Sequence, residues 1–554
     1  MVKKRDKTLV FALLLTAAFS FRVTLVRALP NDDVLDSQVY SQIARNLIEQ
    51  GVFSQATEPP FKPTLASVPG YPLFLAGVYS IAGSGNDTAV RIVQALVDTV
   101  SCGLIALLAF FWEPNQKLKR RSAIGSLALA AFCPFTAIYV TTILSETLAI
   151  FFVLASFLTA TLAFQKARQK NALLYWVATG VLLGIAVQFR PDSGLFALAI
   201  GLTLVITLLT RSSELQLTRK SDEILYRFSR ASVLGAVLSL AFCVALVPWT
   251  VRNYRTFQFI QPLAPRHAAL TGDFVPRGYL SWLRTWVDDG RHIGPVFWSL
   301  NQSPIELKDI PNSAFDSAEE KQRVGALLDR YNHPPRPLDP FVEEEDVPME
   351  ELESTQPDDG DTPQPADEPA TAEEDADEGA ETTQGPETSA PDGEEDQLVL
   401  MTPEIDAGFA RIAQERIERR PVHYYAWLPA KRASSLWFDT HSQFYPFEGE
   451  LLPLSGLDRE ADQHIWLPFF AGLTLLYTIL SIGGGWVFWR ADDPASRRWL
   501  LLVVLIVFLR LAYFSTLENP ESRYMVELFP FASVLGGIAL AGIFNRKALK
   551  RRPT

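Results

Sequence analysis

The chain has 554 residues, 48% of them hydrophobic, and a formal net charge of −12. That balance suggests an acidic soluble protein, but 23 of the Asp and Glu residues lie in residues 343–396, a run without a single Lys or Arg, and the rest of the chain is net positive and rich in long apolar stretches. It carries no Walker loop, no dinucleotide fingerprint and no internal repeat, so ATP-driven transport and Rossmann chemistry find no support, and no nucleic-acid partner is expected.

The first apolar stretch, residues 8–26, is long enough to cross about 30 Å of hydrocarbon, which takes roughly 20 helical residues. It follows Met1-Val-Lys-Lys-Arg, which should stay in the cytoplasm. Arg22 interrupts its apolar core and no convincing small-residue cleavage site follows, so the stretch reads as a retained span rather than a signal peptide. Further spans are predicted near 88–112, 123–142, 145–164, 172–189, 194–210, 231–249, 465–489, 499–517 and 525–544, ten in all. Alternating them puts the basic turns at 117–121, 166–170, 211–230, 497–498 and 546–552 on one side, as the positive-inside rule requires. The expected fold is therefore an all-α integral membrane protein of the cytoplasmic membrane, with both termini cytoplasmic.

Three regions are expected: an N-terminal transmembrane region, 1–250, with a first external loop at 28–87; an external loop domain, 251–464; and a C-terminal transmembrane region, 465–554. The acidic run inside the second region lacks aromatics and is rich in Pro, Gly, Thr and Ala. It cannot bury enough apolar surface to offset chain entropy, so it is expected to be a disordered arm. Cys102, Cys133 and Cys243 all fall within predicted spans, leaving no loop thiol for a disulfide or a zinc site. His423 and His441 stand too far from other ligand types to be read as metal ligands.

The external side then collects Asp36, Glu146, Arg190, Arg252 and Arg523. Charges at a bilayer boundary are costly unless solvated, paired or used. Asp36, Tyr40, Ala44 and Leu47 recur at helical spacing, which predicts a short helix lying at the membrane surface, with Asn31, Asp32 and Asp33 available to cap it. After it, Val68-Pro-Gly-Tyr71-Pro-Leu-Phe-Leu-Ala turns into an apolar segment too short to cross, a re-entrant or interfacial helix. Thr402 followed by Pro403 predicts a capped amphipathic helix to Arg419, and the segment 421–438 reads as aromatic, basic and interfacial.

These motifs resemble the polyprenyl-phosphate-sugar-dependent membrane glycosyltransferases of the GT-C superfamily, which include the glycosyltransferase 39, protein mannosyltransferase, aminoarabinose transferase and Rgt-like groups. The resemblance rests on the Asp36-to-Leu47 helix, Pro-Gly-Tyr71-Pro, Leu-Ser-Glu146-Thr-Leu, Arg190-Pro-Asp, Pro-Trp-Thr-Val-Arg252-Asn and Ser-Arg523-Tyr524-Met, in that order. Many relatives carry Arg or Lys directly before the Pro-Gly-Tyr-Pro turn. Here Ser67-Val68 stand there, and Lys62 is the nearest cation.

Sugar transfer from a lipid phosphate to a hydroxyl needs a base for the acceptor proton and cations for charge developing on the leaving phosphate. The resemblance implies Asp36 as that base, with Glu146 orienting the acceptor or pairing with a cation. Arg523, Arg252 and Lys62 are the candidates for the donor phosphate, and Tyr40, Tyr71, Arg190 and Tyr524 for support. Asp36 and Glu146 could also share a divalent cation, although no paired-carboxylate motif requires one. The expected activity is inverting transfer on the external face, from a polyprenyl-phosphate sugar to a lipid, polysaccharide or protein acceptor. A lipid-linked saccharide flippase or an inactive membrane scaffold is the alternative.

Overall fold

The computed structural model describes residues 2–29, 35–166, 172–210, 220–265, 274–290, 292–334, 399–438, 444–445, 447, 461–491 and 493–550. The acidic run at 343–396, the cap candidates Asn31, Asp32 and Asp33, and His441 lie outside these residues. Among the described residues there is no β-strand.

In chain order the helices are α1 (Val2–Ala28), α2 (Leu35–Glu49), α3 (Gly70–Ala82), α4 (Asp87–Trp112), α5 (Lys119–Ala131), α6 (Pro134–Ala137), α7 (Glu146–Gln165), α8 (Ala172–Phe189) and α9 (Gly194–Thr210). They continue with α10 (Lys220–Phe257), α11 (Arg277–Leu283), α12 (Ala318–Asn332), α13 (Pro403–Arg419), α14 (Leu428–Phe438), α15 (Ala461–Arg490), α16 (Pro494–Phe514) and α17 (Phe529–Lys550). The protein is a multi-pass, all-α membrane protein.

The expected count of ten spans is not met by length and hydropathy. Among the described residues eight helices are long and apolar enough to cross, or nine if α5 and the segment Pro134–Val140 form one bent span. That span breaks because Pro134 has no N–H to donate and its ring obstructs a continuing helix, and the two halves meet at 52°. The break frees backbone carbonyls, and Arg22 of α1 takes two of them, donating to Ala131 O at 3.0 Å and Ala130 O at 3.3 Å. Its Nε meets Asp98 of α4 at 2.5 Å, so the charge that interrupts the first span is paired and buried. The remaining expected span corresponds to α16, whose 21 residues include Arg497, Arg498 and Arg510.

Close approach holds the bundle together. A Cβ on Gly180 of α8 would lie 2.5 Å from Leu238 O of α10, and one on Gly184 2.5 Å from Phe242 O, so two glycines four apart let the backbones of α8 and α10 touch. In the main core Trp112 stacks on Trp499 with ring centroids 5.1 Å apart, joining α4 to α16.

A second core, around Tyr279, Trp282, Tyr331 and Phe409, joins α11, α12 and α13 into a lobe. Thr402 caps α13 by accepting from Ile405 N at 3.4 Å, with Pro403 in the first turn, as the sequence predicts. Arg284 beside this lobe pairs with Glu518, before α17, at 2.8 Å. Arg432 of α14 donates to Val287 O and Arg284 O, both at 2.6 Å, and to Ser515 O at 3.3 Å, tying the lobe to the end of α16.

Candidate active site

Several helix ends converge on one charged cluster. Asp36 opens α2, Glu146 opens α7, Arg190 follows the last residue of α8, and Arg523 lies in the 3-10 turn Ser522–Leu528 that leads into α17. Asp36 Oδ2 accepts from both terminal nitrogens of Arg523 at 3.3 Å. Arg523 Nε lies 2.9 Å from Glu521, so one guanidinium faces two carboxylates. Burial pushes the Glu521 carboxyl above its usual range, against the pull of Arg523.

A second set lies alongside. Arg190 Nη1 donates to Glu146 Oε1 at 2.5 Å, and Arg190 Nε lies 3.1 Å from Asp192 and 3.7 Å from Glu527. Glu146 is 2% exposed, and its other oxygen, Oε2, has no hydrogen-bond partner. Arg510 completes the set by pairing with Asp192 at 2.9 Å and Glu527 at 2.7 Å while donating to Tyr524 O at 2.5 Å. The Tyr524 hydroxyl accepts from Asn519 Nδ2 at 2.8 Å, and its ring stacks on Phe514.

Tyr40 of α2 packs against Tyr71 of α3 beside the two sets. Their rings meet edge to face at 5.3 Å, and Tyr71 donates to Gln94 Oε1 at 2.8 Å. Gln94 in turn donates to Thr142 O at 2.8 Å, fixing the turn before Glu146. Burial, then the nearby Asp36 charge, raises the Tyr40 phenol, and burial likewise raises Tyr71, so both stay neutral.

The structure thus brings together Asp36, Tyr40, Tyr71, Glu146, Arg190, Arg523 and Tyr524. Arg252 lies in a different environment from Arg523. It donates to Thr64 O at 3.1 Å, Phe53 O at 3.3 Å and Asn253 Oδ1 at 3.0 Å, and its guanidinium packs against Phe53, Trp249 and Phe257. It is a strut between α10 and the first loop. Lys62 is exposed in that same loop.

Arg510, Glu521 and Glu527 are the members that sequence reasoning left without a role, whereas Asp192 was readable as a local ion-pair partner of Arg190 across Pro191. Arg510 had a signal: it interrupts the apolar run Leu500-Leu-Leu-Val-Val-Leu-Ile-Val-Phe-Leu, where a charge demands a partner. Asp36 and Glu146 each face an arginine, Arg523 and Arg190. Among the described residues no three His, Cys, Asp or Glu side chains gather as a metal site.

Residues 62–220 match the family model described as dolichyl-phosphate-mannose-protein mannosyltransferase. That segment, 159 of the 554 residues, is what the chain shares with this family of membrane mannosyltransferases. The matched segment contains Tyr71, Glu146 and Arg190, while Asp36 and Arg523 lie on either side of it.

The oligosaccharyltransferase AglB from Archaeoglobus fulgidus, solved with an inhibitory peptide and a dolichol-phosphate, is similar at 12% identity and a TM-score of 0.44, over 99% of this chain and 51% of that one. The Archaeoglobus fulgidus oligosaccharyltransferase tethered to an acceptor peptide gives 11% identity and a TM-score of 0.47, over 99% and 51%. ArnT from Cupriavidus metallidurans, bound to undecaprenyl phosphate, gives 13% identity and a TM-score of 0.30, over 98% and 79%. The chain spans about half the length of the archaeal enzymes. No curated protein matches it in sequence.

Proposed function

We propose that the protein is an inverting glycosyltransferase that moves a sugar from a polyprenyl-phosphate donor to a hydroxyl acceptor on the external face of the cytoplasmic membrane, with both termini cytoplasmic. The observation that carries this reading is the pairing of Asp36 with Arg523 beside the buried Glu146–Arg190 pair. A base and a phosphate-binding guanidinium then share one site at one end of the bundle. The alternation of basic turns supports the orientation.

In the resting site Arg523 neutralises Asp36 and Glu521. A donor phosphodiester, with one negative charge shared by two oxygens, offers the planar guanidinium of Arg523 a bidentate partner. Exchange of Arg523 onto the phosphate frees Asp36 to take the acceptor hydroxyl proton. The acceptor oxygen then attacks the anomeric carbon from the face opposite the phosphate, and the bond to phosphate breaks. The polyprenyl phosphate leaves with the electron pair, and Arg523 stabilises its charge. Glu146 Oε2 is free to accept a hydrogen bond from a substrate hydroxyl, while Arg190 holds the other oxygen in place. Inversion and the polyprenyl carrier come from the family resemblance.

The test is transfer from a panel of polyprenyl-phosphate sugars by the full-length protein in detergent, where transport between compartments is undefined. Transfer from at least one donor supports the reading. Failure with every donor, together with movement of lipid-linked saccharide across proteoliposomes, would establish the flippase reading in its place.

A further inference from the structure

A cavity lies on the neighbouring face of α2. It has a volume of about 380 Å³ and is lined by Ser37, Gln38, Gln42, Gln55 and Thr57 among others. This falls within the range of about 300 to 1,000 Å³ typical of small-ligand sites. Neither Asp36 nor Arg523 lines it.

Its walls are braced by hydrogen bonds. Asn46 Nδ2 donates to Ser54 O and Ala56 O, both at 2.8 Å, which pins the strip carrying Gln55 and Thr57 against α2. Gln42 Nε2 donates to Asn46 Oδ1 at 3.1 Å and Ala56 O at 3.3 Å, so this amide is fixed before any ligand arrives. Asp87, at the α4 side of the cavity, accepts from the Tyr79 hydroxyl. Against these satisfied groups one stands out. Ser37 is only 4% exposed, lines the cavity, and its Oγ has no partner. A buried hydroxyl without a partner is unfavourable, and a ligand group in the cavity would supply one.

Hydroxyls and amides both donate and accept, which suits the closely spaced hydroxyls of a sugar ring. The charged residues lining the cavity, Arg45 and Asp87, are of opposite sign, so the lining does not select an anion such as phosphate. Position selects among substrates. Ser37 directly follows Asp36, and Ile143, which also lines the cavity, is three residues before Glu146. A ring seated here is next to the proposed base and apart from the guanidinium proposed for the donor phosphate.

We propose that this cavity is the acceptor subsite and that it binds a neutral saccharide ring presenting its hydroxyls to Ser37, Gln38, Gln42, Gln55 and Thr57. The assignment to the acceptor rests on the transfer reading above; the saccharide specificity does not.

The test has a binding arm and a kinetic arm, both on the full-length protein in detergent. Saturation-transfer NMR is recorded with methyl glycosides of common hexoses, hexosamines and pentoses, one at a time and without donor. At least one glycoside should give a signal, and the signal should fall at least fivefold both in Gln38→Ala/Gln55→Ala, which removes two exposed amides, and in Gln55→Trp, which fills the cavity. Arg523→Ala should retain it. A panel without any signal, or a signal that survives both variants, would overturn the saccharide site whether or not the protein is a transferase. In the kinetic arm Gln55→Trp should raise the acceptor KM at least tenfold with the donor KM unchanged. A rise in donor KM alone would move the cavity to the donor's sugar and overturn the acceptor assignment. Absence of turnover in wild type would count against the transfer reading, while the glycoside signal would still decide the site.

Discussion

Asp36 and Arg523 stand 487 residues apart in the chain and 3.3 Å apart in the fold. The contact joins the first surface helix to the turn before the last transmembrane helix. It closes the bundle at the end where Glu146 and Arg190 also meet.

Replacing Asp36 with Asn preserves size and most hydrogen bonding but removes the basic carboxylate. Turnover should fall by about 10² to 10⁴ while donor affinity is kept. Arg523→Ala should weaken donor binding as well, because a phosphate clamp acts in the ground state too. Steady-state kinetics with a saturable donor, beside equilibrium binding of the donor, separate the two. Equal loss of donor binding in both variants would remove Asp36 from the role of base.

Arg190 holds a carboxylate that is almost wholly buried. Arg190→Ala leaves Glu146 without its cation and should cost about 3 to 5 kcal/mol of stability. Arg419, half exposed beside Asp316, is the comparison, and Arg419→Ala should cost under about 1 kcal/mol. Thermal unfolding in detergent should rank the two clearly, and similar shifts would mean the buried pair carries no special weight.

Arg22→Met should destabilise strongly, because Asp98 is left charged and buried against α1. The double variant Arg22→Met/Asp98→Leu should recover part of the loss, since an apolar pair avoids the desolvation cost of two ions. Recovery should be incomplete, because the carbonyls of Ala130 and Ala131 at the bent span lose their donor. A double variant less stable than the single one would show that the charge on Asp98 is not the source of the loss.

Topology can be read with thiol labelling in a background lacking Cys102, Cys133 and Cys243. Gly360→Cys should react with a membrane-impermeant reagent in intact cells, and Gln116→Cys should not. The reverse pattern would invert the orientation and place the site in the cytoplasm.

Deleting residues 343–396 should leave transfer activity within about tenfold of wild type, about 1.4 kcal/mol of barrier. The expectation comes from composition alone, since a run without aromatics offers little to a rigid site. A folded deletion variant with a larger loss would give the acidic run a direct part in the reaction.

The membrane class of this protein was legible in its sequence because hydropathy is a local property. A stretch such as residues 146–165 declares itself without reference to any neighbour, and the basic turns then suggest its direction. The helix carrying Asp36 and Tyr40 was readable for the same reason, as was the cap at Thr402: both depend on spacings of three or four residues. Counting spans was less secure where local rules compete. Pro134 bends one stretch, and three arginines lower the apolar character of α16.

Partnerships were decided by tertiary structure. Arg252 and Arg523 look alike in sequence, each polar at the edge of a span. Packing gives Arg252 to the carbonyls of Phe53 and Thr64, and Arg523 to Asp36 and Glu521. Arg510 reads as an isolated charge until the fold sets Asp192 and Glu527 against it. A charge in a span announces that it needs a partner, but the partner depends on which helices can approach closely. That is settled by contacts such as those of Gly180 and Gly184 with α10, between residues far apart in the chain.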